Sequence, residues 1–239
     1  AGKTTTLYAS VNCLDCVGRN IITVEDPVEY RFKNINQIQV NPKAGLTFAS
    51  GLRSILRLDP DVILVGEIRD AETANIAVQS ALTGHLVLSS IHANDSVGVV
   101  LRLVDLGVEP FLVSSALIGV VAQRMLRRVC PDCGHLVSAL PVEKMYFQRE
   151  TGEQREEFLY GNGCHSCSDT GYHGRMGIFE ILTMSDEIRA MLLKNPTAAQ
   201  LRDQAISEGM TTLMRDGMLK VKANVTTPSE VLCNAYSLD

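Results

Sequence analysis

A chain of 239 residues that is 46% hydrophobic and 5% aromatic, without tryptophan, is long enough for a sizeable aliphatic core and ordinary for a soluble α/β protein. Its formal net charge of -5 argues against the basic, aromatic-studded stripe of a nucleic-acid binder, yet leaves a local phosphate site open. The longest mostly apolar run, Phe111 to Ala122, is interrupted by Ser114 and Ser115 and falls short of the ~20 residues a membrane-spanning helix needs, so it reads as a buried helix.

The first elements concern phosphate. Gly2-Lys3-Thr4-Thr5 matches the tail of a phosphate loop, GxxxxGK[ST]. Glycine lets the backbone approach the phosphates, the lysine reaches the β and γ oxygens, the threonine hydroxyl suits Mg²⁺, and the helix that follows presents its positive end. The chain does not begin with Met and opens inside this motif, which places the first loop glycine before residue 1. Taken alone, GKT is equally compatible with a solvated lysine at a helix start. Cys13 and Cys16 fall one turn apart on the helix expected here, with no second pair nearby, and read as structural.

Asn20–Glu25 is β-branched and ends in acids, with Asp26 and Glu29 just beyond. A helix is expected over Phe48–Leu58. Val62–Val65 is a continuous apolar run, as in a strand buried on both faces, and leads into Gly66-Glu67. Ligands of open α/β sheets bind at the carboxyl ends of the strands, so Glu67 is placed to orient or deprotonate a water. A second helix is expected over Ala71–Leu82, and a third strand runs between His85 and His92. Either histidine is open to a structural or a catalytic role; His92 lies near the carboxyl end. This alternation predicts a parallel sheet covered by helices. Val99–Val129 reads as helical, broken near Gly107–Pro110.

Composition changes at Cys130. Residues 130–177 are rich in Gly, Cys and polar types and lack a long apolar run, so they read as a small inserted module held by something other than a core. Cys130, Cys133, Cys164 and Cys167 form two CxxC pairs separated by thirty residues; four thiolates would complete a closed tetrahedral structural zinc site, and residues 134–163 would form a loop or small hairpin. Two disulfides or unliganded thiols are the alternatives, and His135, His165 and His173 are competing ligands. Helical patterns return from Ser185, where Thr197/Gln200 and Thr227/Glu230 fit capping boxes and Pro228 suits a first helical position. The expected division is 1–129, 130–177 and 178–239.

The segments VEDPVEY (Val24–Tyr30), NPKAGLTFASGLRSILRLDPDVILVGEIRD (Asn41–Asp70), TGHLVLSSIHAND (Thr83–Asp95), GVEPFLVSSALIGVVAQRMLRRVCPDC (Gly107–Cys133) and GYHGRMGIFEIL (Gly171–Leu182) together resemble the motor ATPases of type II secretion and type IV pilus assembly. The resemblance covers essentially the whole chain. It implies a RecA-like P-loop fold, a homohexamer, and Mg²⁺-dependent ATP hydrolysis coupled to movement of pilin-like subunits. By motif, Gly2, Lys3, Thr4 and Thr5 with Glu25 and Asp26 would meet nucleotide and metal. Glu67 would be the catalytic glutamate, Glu29 a further acid of the Asp box, and His85 and His92 the His-box pair. Arg53, Arg57 and Arg69 lie beside these motifs, where they would serve phosphate or subunit contacts.

The four-cysteine module points to the assembly or secretion branch, since retraction motors of the family generally lack it. Implied partners are inner-membrane platform and cytoplasmic-domain proteins of the secretion machine, at the cytoplasmic face of the bacterial inner membrane, with no nucleic acid. The chain departs from the family at its front, where an N-terminal domain, the first core strand and part of the phosphate loop are expected, so residues 1–239 alone should hydrolyse ATP poorly. Asn224 stands where relatives tend to have Gly, a change a left-handed turn tolerates. A nucleic-acid motor and a non-catalytic module built around zinc are the other readings weighed; the acidic balance opposes the first, the pairing of Lys3-Thr4 with Glu67 the second.

Overall fold

The computed structural model describes residues 2–14 and 17–235, so Cys16 lies outside the described residues. The chain divides into two compact units, Lys3–Val120 with Leu182–Ala205, and Val121–Ile181 with Ile206 onward and Gly2.

The first unit is built on a parallel sheet of four strands, β1 (Ile21–Glu25), β2 (Asn36–Gln39), β3 (Val62–Ile68) and β4 (Leu86–Ile91), in the order β2-β1-β3-β4. β1 is flanked on both sides and buried along its whole length, whereas the edge strand β2 is not. Helices cover both faces. On one, Tyr8 and Val11 of α1 (Lys3–Asn12) pack against Ile21, Val62 and Leu64. The alternation of side chains along a strand sends Val24 the other way. There Gly51 of α2 (Phe48–Ile55) comes so near that a β-carbon would stand 3.0 Å from the Val24 Cγ2. α3 (Ala71–Leu82) and α4 (Ser96–Asp105) start on Asp70 and Asp95, whose carboxylates accept from Thr73 N at 2.8 Å and Gly98 N at 2.7 Å. α5 (Pro110–Ala116), α7 (Asp186–Leu192) and the start of α8 (Ala198–Ser207) complete the unit. The α/β class expected from the alternation is therefore observed. Among the described residues, no helix is long and apolar enough to cross a membrane.

The helix expected across Val99–Val129 is corrected. α5 stops at Ala116, and Gly119–Val129 is an eleven-residue strand, β5, paired with β8 (Tyr172–Thr183). The run Phe111–Ala122 is likewise not a buried helix, since Phe111, Ile118 and Val121 are exposed. Periodicity alone does not separate a short apolar helix from a strand. The valines at 120, 121 and 129 and the close approach at Gly119, where a β-carbon would lie 2.8 Å from the Leu182 carbonyl oxygen, favour the strand.

In the second unit, β6 (Gly134–Ser138) and β7 (Glu157–Gly161) pair antiparallel in the hairpin manner expected, but α6 (Pro141–Thr151) is inserted between them. This segment does have a core: Phe147 and Phe158, edge-to-face at 5.0 Å between centroids, pack with Leu126, Ile178 and residues of α9 (Leu213–Lys222) and α10 (Pro228–Ala235). The cysteine segment and the last helices thus form one body, where the sequence suggested two segments parted near residue 177. Asn224 adopts the left-handed conformation with φ 57. The Thr197/Gln200 box closes reciprocally. The Thr227 hydroxyl accepts from Glu230 N at 3.1 Å, but the Glu230 carboxylate turns to Arg127 instead of closing the box.

Candidate functional site

α1 begins at Lys3, directly after Gly2 in a positive-φ conformation (φ 83), so Lys3, Thr4 and Thr5 occupy the first turn, where helical amides lack intrahelical partners. The carboxylate expected to face them is Glu67, near the carboxyl end of β3. Here the β3/β4 register slips: Val65 pairs with Ser89 and Ile68 with Ile91, leaving one extra residue on β3. The Ser90 hydroxyl donates to the Gly66 carbonyl at 2.8 Å within this bulge. A bulge re-aims the side chain beside it. A glycine inside an otherwise apolar strand run is the signal that could have announced it.

The Glu67 carboxylate, 14% exposed, accepts from Arg69 Nη2 at 2.5 Å and lies 3.4 Å from His92 Nε2. The Arg69 guanidinium, with His92 and the Lys3 ammonium behind it, holds this carboxyl below the usual range against the opposing effect of burial. Arg69 also feels the charge of Asp26. Lys3, Glu67, His92, Arg69 and Asp26 therefore share one electrostatic neighbourhood at the carboxyl edge of the sheet.

Glu25 is placed differently from the expectation that it meets nucleotide. Its carboxylate is 3% exposed and is taken up by neutral donors: the Tyr8 phenol, the Thr23 hydroxyl at 2.5 Å and the Gln37 amide at 3.2 Å. Asp26 and Glu29, by contrast, are exposed. His85 does not join the group either. It precedes β4 while His92 follows it, one strand length apart, and its Nδ1 lies 2.9 Å from the Ser80 carbonyl and 3.1 Å from the Thr83 hydroxyl at the end of α3. Arg53 pairs with Glu72 at 2.6 Å, and Arg57 reaches Ser54. Tyr8 and Gln37, which no motif marked, are the residues that sequence reasoning missed.

In the second unit the four cysteines converge, their Sγ atoms all within 4.8 Å of one another. Sγ separations of 3.9 Å (Cys130–Cys164), 3.8 Å (Cys133–Cys167) and 3.7 Å (Cys164–Cys167) set aside the two disulfides and are compatible with a shared metal ion. A disulfide needs ~2 Å, whereas a tetrahedron with Zn–S near 2.3 Å has edges of about 3.8 Å. Burial opposes a Cys167 thiolate, but the amides of Cys164 and Gly171, which donate to its Sγ at 3.2 and 3.3 Å, and the neighbouring thiols of Cys164 and Cys133 bring its pKa down. The residues present fit a zinc ion. None of the three histidines belongs to this cluster; the Nδ1 of His135 is buried without a hydrogen-bond partner.

The profile of the Type II/IV secretion system protein family matches residues 1–233. The chain is 48% identical to the type II secretion system protein E of Pectobacterium carotovorum subsp. carotovorum, over 97% of this chain and 46% of that one. It is 46% identical to the type IV pilus assembly ATPase PilB of Thermus thermophilus, over 97% of this chain and 26% of that one. The chain thus spans about half the length, or less, of these curated relatives. Among solved structures, the pilus retraction motor PilT with bound ADP superposes with a TM-score of 0.69 at 26% identity, covering 97% of this chain and 57% of that one. The ATPase DotB of Legionella pneumophila superposes with a TM-score of 0.68 at 20% identity, covering 97% and 56%, a likeness of fold alone. On this evidence, the chain belongs to the Type II/IV secretion system protein family.

Proposed function

We propose that this chain is the catalytic portion of a hexameric motor ATPase that drives pilus or pseudopilus assembly, and with it protein export, at the cytoplasmic face of an inner membrane. The observation that carries the reading is that the Lys3 ammonium, at the start of α1, acts through its charge on the Glu67 carboxylate at the bulged end of β3, beside Arg69 and His92. ATP supplies the transferable phosphoryl group and Mg²⁺ neutralises charge on its oxygens. Lys3 and the first-turn amides bind the phosphates, and the Thr4 hydroxyl with the exposed Asp26 holds the metal. Glu67 orients and accepts a proton from the attacking water, helped by His92, with Glu29, exposed on the loop after β1, as a further acid of the site. An arginine from an adjacent subunit of the homohexamer completes the charge balance. The four cysteines hold zinc in a closed structural site that takes no part in hydrolysis. Identity to relatives named for secretion and for pilus assembly supports the assembly or secretion branch.

The test is phosphate release by the full-length protein. Glu67→Gln should lower kcat by at least about 100-fold while fluorescent ATP binding persists, because only the proton acceptor is lost. Lys3→Ala should lose nucleotide binding itself. Unchanged turnover in Glu67→Gln would remove Glu67 from the proton-accepting role, and a wild-type protein that releases no phosphate would assign the chain a non-catalytic role.

A further inference from the structure

The acids that end β1 are not equivalent. Glu25 is buried and its two oxygens already receive three side-chain donors, from Tyr8, Thr23 and Gln37. Taking a divalent cation or a nucleotide hydroxyl there would strip donors from a carboxylate that has no water to replace them, a costly exchange in a buried site. Asp26 and Glu29 are exposed and carry no such load.

The Tyr8 phenol links these positions. Tyr8 lies four residues after Thr4 on α1, hence one turn along the same helix face. Its hydroxyl donates to Glu25 Oε2 and accepts the backbone N–H of Glu29 at 3.2 Å. The ring packs edge-on against Tyr30 and Phe32, with centroids 6.1 and 5.1 Å away. Gln37 reinforces the same loop, donating to the Tyr30 carbonyl and accepting from Phe32 N, both at 2.8 Å. The loop bearing Asp26 and Glu29 therefore takes its position from one phenol on α1 and two amides on β2, since the Gln39 side chain also accepts from Val28 N at 3.4 Å.

We propose that Tyr8 and Glu25 are positioning residues: Glu25 orients the Tyr8 hydroxyl and touches neither nucleotide nor metal, and Tyr8 registers the Lys3–Thr4 turn against the loop that carries Glu29. The catalytic part of this inference rests on the ATPase reading above; the hydrogen-bond linkage does not. With the phenol accepting from the Glu29 amide, a change in the placement of α1 is felt at Glu29 without any intervening element.

Two measurements on the full-length protein test it. Tyr8→Phe keeps the ring contacts and deletes the bond, so in the nucleotide-free protein hydrogen exchange at Val28–Phe32 should rise by about tenfold. Unchanged exchange there overturns the linkage, whether or not the protein is an ATPase. In the steady state, Tyr8→Phe should lower kcat by about tenfold with KM for ATP and the affinity for fluorescent ADP within about twofold. In a Glu29→Gln background the same change should do nothing further, since residues acting as one unit are non-additive. Thr23→Val removes a Glu25 donor that does not reach the loop, and should lower the melting temperature without lowering kcat; matching kcat losses in both variants mean that Tyr8 is merely structural. Glu25→Gln should leave the Mg²⁺ concentration for half-maximal rate unchanged, and a tenfold rise there would put Glu25 on the metal. A wild-type protein that binds no nucleotide and releases no phosphate sinks the ATPase reading and the kinetic arm with it, while the exchange arm still decides the linkage.

Discussion

Replacing Glu230 with alanine removes the charge that ties the start of α10 to β5. The Glu230 side chain is 6% exposed and accepts from Arg127 three times, from the backbone N at 3.0 Å, Nε at 3.1 Å and Nη2 at 2.7 Å. The Arg127 side chain is 53% exposed, so its guanidinium, which also lies 4.1 Å from the Tyr172 ring centroid, is rehydrated once its partner is gone. That half of the interaction is worth only about 1 kcal/mol. The orphaned backbone N–H has no such escape and costs about 1–3 kcal/mol. Together the loss is roughly 2–4 kcal/mol, which lowers the melting temperature by about 5–15 °C in a protein of this size. Glu230→Gln retains an acceptor for the backbone N–H and should cost about half as much. The helix start itself survives, because the Thr227 hydroxyl accepts from Glu230 N whatever that side chain carries.

The pH dependence gives the sharper check. Burial raises the Glu230 pKa, but the Arg127 bonds outweigh it and the net shift is downward. A lowered folded-state value means the stabilisation is complete above the unfolded pKa of ~4.3 and fades as pH falls through the folded one. Melting followed by circular dichroism should therefore show a constant gap between wild type and Glu230→Gln from pH 8 to about pH 5, closing at lower pH. A gap that persists undiminished at pH 3, or a Glu230→Ala protein destabilised by less than about 1 kcal/mol, would refute the assignment of charge-assisted bonds to this site.

Three further outcomes follow from the two sites. Elemental analysis of the purified protein should find about one zinc per chain, lost in Cys133→Ser. Because Phe147, Phe158, Leu213 and Val231 form a core of their own, chelation should raise hydrogen exchange at the cysteine loops while sparing α9 and α10; global unfolding of the unit on chelation would contradict this. At the proposed nucleotide site, Arg69→Gln removes the largest influence holding the Glu67 carboxyl down, so the acid limb of the kcat/KM profile should move to higher pH. An unmoved limb would mean that Glu67 does not govern it.

Much of this architecture was legible because the chemistry is written in short local strings. Val62–Val65, four consecutive apolar residues, had to be a strand covered on both faces, and Ala71–Leu82 is a helix over those very residues. The CxxC spacing announced four converging thiolates. The second unit was less legible because its core is assembled from distant parts: Phe147, Phe158, Leu126 and Met218 are scattered through polar surroundings and meet only in the fold. β5 was hidden for a related reason, since its ladder partner β8 lies some fifty residues on and its apolar residues do not announce a period of two. Glu230 looked like a capping-box acid because sequence shows what is three residues away and conceals Arg127, 103 positions away. Tyr8 was marked by no motif: its ring is a core aromatic like any other, and no spacing rule reports where a hydroxyl points.

The two glutamates at the sheet edge show why motif membership does not fix a role. Both belong to acid-bearing strings that end parallel strands. Glu25 is neutral-partnered and sealed, so any ligand it accepted would have to break buried hydrogen bonds with no solvent to compensate. Glu67 is held by charges instead, and the largest of them, on Arg69, sits on a side chain 62% exposed. An exposed guanidinium can leave a carboxylate for water, or for a phosphate oxygen, at small cost, because an exposed ion pair contributes little. A group that must take a proton from water in one state and be held still in another needs that second kind of partner. The bulge at Gly66 aims Glu67 into such surroundings, and the unbroken β1 ladder aims Glu25 away from them.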